Sequence, residues 1–129
     1  MASQFPATWV PLQFDGTPAS KINFVNLGTG AIQTVANSTA RLFGLYAINT
    51  QASTAAFVQV FDALVANITL GTTIPDQQLF VAGTSTASIM LPMAGLYFTN
   101  GIAVQSTTTA GGNTGSASGV TVYAMYLKP

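Results

Sequence analysis

Residues 40–49 read ARLFGLYAIN, a stretch in which large apolar side chains fall on both faces of an extended chain. Alternation puts Leu42, Tyr46 and Ile48 on one face and Phe43, Leu45 and Ala47 on the other. A strand that is apolar on both sides is central in its sheet. One side is expected under a second sheet and the other under a partner. Arg41, near its start, reads as a solvated strand end.

Strand signals continue on both sides of this segment. Upstream, residues 28–31 (GTGA) read as a turn. They lack the spacing of a dinucleotide fingerprint, and no P-loop lysine follows them. β signals begin at Ile32. Downstream, the turn residues of NTQASTA precede a second strand at 56–61, AFVQVF. Asp62 is placed to cap a helical turn over 62–67, and residues 68–75 return to extended and turn chemistry. Further strands are expected at 78–81 (QLFV), at 85–91 (STASIML) and at 119–127 (GVTVYAMYL), where Val120, Val122, Ala124 and Tyr126 share a face. Residues 96–98 and 102–105 flank Asn100-Gly101, a strong two-residue hairpin signal. Residues 106–118 (STTTAGGNTGSAS) hold no large apolar side chain and read as a mobile surface loop. Seven or eight short strands with turn chemistry between them predict an antiparallel β-sandwich or jelly roll over residues 21–129.

Residues 1–20 differ from the rest. Phe5, Trp9, Val10, Leu12 and Phe14 are interleaved with Pro6, Pro11 and Pro18, which forbid a helix interior or a central strand. The segment reads as an extended arm whose aromatics are costly to leave in water. It either closes an open end of the domain or docks on a neighbouring subunit. Phe5, Trp9, Val10 and Phe14 are the candidate partner-interface residues, because interface energy concentrates in buried aromatics.

Composition excludes much else. The 129 residues carry six charges, Asp15, Asp62, Asp76, Lys21, Arg41 and Lys128, with no histidine, cysteine or glutamate. Ser–His–Asp and Cys–His catalysis and ordinary zinc sites therefore cannot be built. The three aspartates are widely spaced and lie in no recognisable motif, so no enzyme, cofactor or metal site is expected. Three scattered cations make no phosphate-binding patch, which argues against nucleic acid and against electrostatic membrane attachment. No stretch of about 20 apolar residues is present to span a membrane, and residues 1–6 do not read as a secretory signal. A net charge of zero from so few charges favours association. It also leaves sheet edges unprotected, so a homo-oligomer is expected.

Over about residues 40–127 the sequence resembles a diffuse group of small structural proteins of tailed bacteriophages. The resemblance is carried by Asn49-Thr50, by FVQVFD at 57–62, by GTTIP at 71–75 and by GLYFTNGIA at 95–103. These motifs are structural, not catalytic. The resemblance implies a virion location and, first, a capsid decoration (cement) protein, often a trimer, bound to the major capsid protein of the head. It implies as an alternative a tail or fibre component that binds a host receptor or carbohydrate through residues 106–118 and surface tyrosines. A non-viral subunit of another β-rich shell is a third reading. Stoichiometry separates the two viral ones: a cement protein occurs in hundreds of copies per particle and a receptor binder in a few.

Overall fold

A computed structural model describes residues 19–91 and 95–128. Nine strands form among them: β1 (Ser20–Phe24), β2 (Gln33–Ala36), β3 (Ala40–Asn49), β4 (Ala56–Phe61), β5 (Gln77–Val81), β6 (Ser85–Met90), β7 (Leu96–Phe98), β8 (Ile102–Thr107) and β9 (Val120–Leu127). They make two antiparallel sheets. The first runs β1–β9–β3–β6, with β7 also paired to β3, and the second runs β2–β8–β4–β5. Early strands pair with late ones in a nested series: β1 with β9, β2 with β8, β3 with β6 and β7, and β4 with β5. β6 and β7 lie end to end along β3, so together they act as one interrupted strand. This nesting makes the sandwich a jelly roll, the architecture in which paired Greek keys form two sheets.

The core lies between the sheets. Leu45, Ala47, Val120 and Val122 of the first face Val58, Val60, Val81 and Val104 of the second, all buried. Alternation along β9 holds as expected, with Val120, Val122 and Ala124 inward and Tyr126 partly buried on the same side.

Alternation along β3 does not hold. Its pairing with β9 slips between Leu42 and Gly44, leaving Phe43 as an extra residue in a bulge. Leu42 therefore faces the core with Leu45 and Ala47, while Tyr46 and Ile48 turn outward. The expected grouping of Leu42 with Tyr46 and Ile48 is corrected by that single inserted residue. Gly44 fits beside the bulge because a Cβ there would meet Met125 Cε at 2.9 Å and Ile89 O at 3.2 Å.

Two turns also differ from expectation. Asn100-Gly101 is not a hairpin within one sheet: β7 belongs to the first sheet and β8 to the second, so the pair forms a corner between them. The Asp62 carboxylate holds that corner, accepting from Asn100 N at 2.8 Å and Thr99 N at 3.1 Å. Asp62 thus does not cap the adjacent helical turn, which is a 3-10 segment, Val65–Asn67, with Leu64 at its N-cap position and no side-chain cap. The crossover from β3 to β4 is pinned by Asn49, whose buried amide donates to Thr54 O at 2.8 Å and Val81 O at 3.2 Å. Its Oδ1 accepts from Gln51 N at 3.0 Å and Gln51 Nε2 at 3.1 Å.

Candidate interaction face

The outward faces of the two sheets are finished differently. On the second sheet, Phe61 and Ala103 are buried under the chain that follows β4, packing with Ile68 and with the partly buried Ala63, Val65 and Leu70. Beside them, Gln59 and Gln105 are register partners on β4 and β8 and both are buried. Gln59 Nε2 donates to Thr107 Oγ1 at 2.7 Å and to Gly112 O at 3.1 Å. Gln105 Nε2 donates to Gly30 O at 2.9 Å, which ties the 28–31 turn to the same face.

Residues 106–118 are therefore not a free loop. Ser106 and Thr107 belong to β8, and the segment folds back over the second sheet, where Gly111 N donates to Gln78 Oε1 at 2.7 Å. Ser116 is buried, its hydroxyl donating to Leu27 O at 3.2 Å and accepting from the Ser106 hydroxyl at 2.7 Å. Gly28, at φ +107°, makes that closure possible, since a Cβ would lie 2.7 Å from Ser106 O. The segment without large apolar residues is thus tied to the second sheet by glutamine side chains and backbone bonds.

The outer face of the first sheet has no such cover among the described residues. Tyr46 and Tyr123 are register partners there, 40% and 43% exposed, with ring centroids 6.2 Å apart at 41°. One pleat along, Met125 and Met90 flank Gly44, and Met90 is 72% exposed. Tyr97, 57% exposed, is the register partner of Arg41 at the end of the same face. Lys21 and Arg41 stand at the margin, and no carboxylate projects from these strands. An adjoining group of exposed tyrosine and methionine side chains is the kind of surface that marks an interaction site.

The remaining candidate groups fall elsewhere. Phe5, Trp9, Val10 and Phe14 lie outside the described residues. Asp62 and Asp76 come together, but both are engaged with backbone: Asp76 Oδ2 accepts from Asp62 N at 2.6 Å. Among the described residues no three His, Cys, Asp or Glu side chains cluster as a metal site would need, and no helix is long and apolar enough to cross a membrane. The tyrosines and the 106–118 segment, named together as a carbohydrate site, sit on opposite faces of the sandwich. Sequence reasoning missed that β3, β6 and β9 contribute jointly to one bare face. The signal was present in the two-sided apolarity of β3, with Tyr123 and Met125 at alternate positions of β9 and Met90 on β6.

No family model and no curated protein matches the chain. Among solved structures, the fold is similar to the Tobacco streak virus coat protein, at 10% sequence identity and a TM-score of 0.38 over 88% of this chain and 89% of that one. At that distance the likeness carries no functional argument.

Proposed function

We propose that this protein is a non-enzymatic virion structural protein, a capsid decoration protein that binds the assembled head shell of a phage and stabilises it. The observation that carries this reading is the contrast between the two outer faces. Among the described residues, the chain covers much of the second sheet, where Phe80 is left exposed, and covers none of Tyr46, Tyr123 and Met90 on the first. A free monomer gains nothing from that exposure, whereas a subunit in an assembly buries it.

Two further features support the reading. The resemblance to small tailed-phage structural proteins rests on segments with structural work in this fold, such as Asn49 at the sheet crossover and Asp62 at the β7–β8 corner. The near absence of charge removes the usual barrier to close association. The mechanism is mass action: a protein that binds only the assembled shell lowers the free energy of that state. Repetition over symmetric sites, with the protein itself as a homo-oligomer (a trimer in this reading), adds avidity without new chemistry. The partner is the major capsid protein. Phe5, Trp9, Val10 and Phe14 are the proposed partner-interface residues.

Co-sedimentation with expanded, undecorated shells tests the reading. Saturable binding that raises the temperature of shell disassembly is expected. No binding to shells, with retention on tail preparations, would replace it with the receptor-binding alternative.

A further inference from the structure

We propose that Asn100 is a site of spontaneous covalent modification: its side-chain amide is lost through a succinimide, and the carboxylate that replaces it loosens the β7–β8 corner. The reaction needs no partner, so it stands apart from the shell reading.

Of the seven asparagines in the chain, Asn100 alone is followed by glycine. The backbone nitrogen of Gly101 loses its proton and bonds to Asn100 Cγ, and the side-chain nitrogen leaves as ammonia. Solvent water then opens the succinimide ring at either carbonyl, giving aspartate or isoaspartate. Nothing is oxidised or reduced. A Cβ on the following residue crowds the attacking nitrogen, and glycine has none.

The fold holds glycine at that position. Gly101 has φ +146°, and a Cβ there would lie 2.7 Å from Ala36 O. The corner between the sheets therefore keeps the residue that makes Asn100 labile.

Asn100 is also exposed and lightly held. Among the described residues its side chain makes a single hydrogen bond, from Nδ2 to Asp62 O at 3.4 Å. The short bonds at the corner are made by backbone, with Asn100 N and Thr99 N donating to the Asp62 carboxylate. Asn49 is the opposite case: it is buried, and both its Nδ2 and its Oδ1 are engaged twice.

The product conflicts with what closes the corner. The atom exchanged for oxygen is the Nδ2 that donates to Asp62 O, so an acceptor comes to face an acceptor. The new negative charge also stands on the residue whose amide binds the Asp62 carboxylate, and like charges at that range repel. In isoaspartate the main chain is rerouted through the side-chain carbons and lengthened, next to a glycine with no room toward Ala36 O.

The experiment ages the full chain at physiological temperature over a series of pH values and follows each asparagine by peptide mass spectrometry. Asn37 and Asn113 are internal references, both exposed and followed by Ser38 and Thr114. Ammonia loss at Asn100 should be many-fold faster than at either reference and should rise with pH, because the attacking nitrogen must lose its proton. Asn100→Gln should abolish it on the same timescale. Conversion at Asn100 no faster than at the references, or indifferent to pH, would overturn the assignment of the site.

The consequence is read with Asn100→Asp, which makes the aspartate product directly. It should lower the melting temperature and speed amide exchange at Thr99, and both effects should shrink in the Asp62→Asn background. A chain carrying Asn100→Asp that is as stable as the parent, or an equal loss in both backgrounds, would overturn the conflict with Asp62.

Discussion

Replacing Asn49 with aspartate changes one NH2 group to oxygen at the point where the chain passes from the first sheet to the second. The side chain is 1% exposed, and its amide donates to two carbonyls, Thr54 O at 2.8 Å and Val81 O at 3.2 Å. In Asn49→Asp, the acceptor bonds from Gln51 can persist, but an anionic oxygen now faces both carbonyls. Each orphaned buried acceptor costs about 1–3 kcal/mol, and confinement of the charge adds to this. A loss of about 3–5 kcal/mol at pH 7 is expected, a large part of a typical domain's stability of about 5–15 kcal/mol. For a chain of this length that lowers the melting temperature by about 10–18 °C. Burial and the facing carbonyls raise the pKa of the new carboxyl in the folded state above the ordinary value of about 3.9. The charge-dependent part of the penalty is therefore absent below the unfolded-state pKa, grows as pH rises and is complete above the folded-state pKa. Protonated, the group can donate to one carbonyl again. Denaturant unfolding of parent and variant at pH 3 and pH 7 gives the difference at each, so that Asp15, Asp62 and Asp76 largely cancel. A loss below about 1 kcal/mol at pH 7, or the same loss at both pH values, would refute the role assigned to Asn49.

Gly28→Ala forces a side chain into a φ of +107° and against Ser106 O. A loss of about 2–5 kcal/mol is expected from strain and overpacking, with new protease cleavage between 108 and 118; unchanged proteolysis would mean the cover is not held there. Asp62→Ala removes both acceptors of the β7–β8 corner, where Thr99 and Asn100 are exposed and water can substitute. Its cost in denaturant unfolding is expected at about 1–2 kcal/mol, and a neutral result would show that the corner needs no cap. Phe61→Ala empties the small cluster under the segment after β4. It should cost about 3–5 kcal/mol and speed amide exchange at Ile68 before it affects β9; uniform acceleration would deny that this cluster is a separate cover.

The sandwich was legible because its central strands carry their burial in their residue types. Residues 40–49 and 56–61 are apolar on alternate positions or on both, and they form β3 and β4 at those bounds. β1 left no such mark: SKINF is half polar because an edge strand buries only Ile22 and Phe24 in part. The bulge at Phe43 was hidden, since a one-residue slip leaves no local signature beyond Gly44, and it reversed the expected face of Leu42. Asn100-Gly101 has the right chemistry for a reversal, but the pairing of β7 with β3 and of β8 with β4 makes it a sheet-to-sheet corner, bonded to Asp62, 38 residues away from Asn100. The 106–118 segment reads as a loop because its glutamine anchors stand on β4 and β5, which no local reading connects to it. The interaction face was half visible: two-sided apolarity in β3 called for a partner, and only the sheet order showed which strands complete the surface.

Copy number per particle tests the shell reading most directly. Quantitative mass spectrometry of purified virions, normalised to the major capsid protein, gives it without disturbing any interface. Decoration of a symmetric shell predicts copies on the order of hundreds, in a simple ratio to the capsid subunits. A handful of copies per particle, retained with tails after heads are removed, would contradict it.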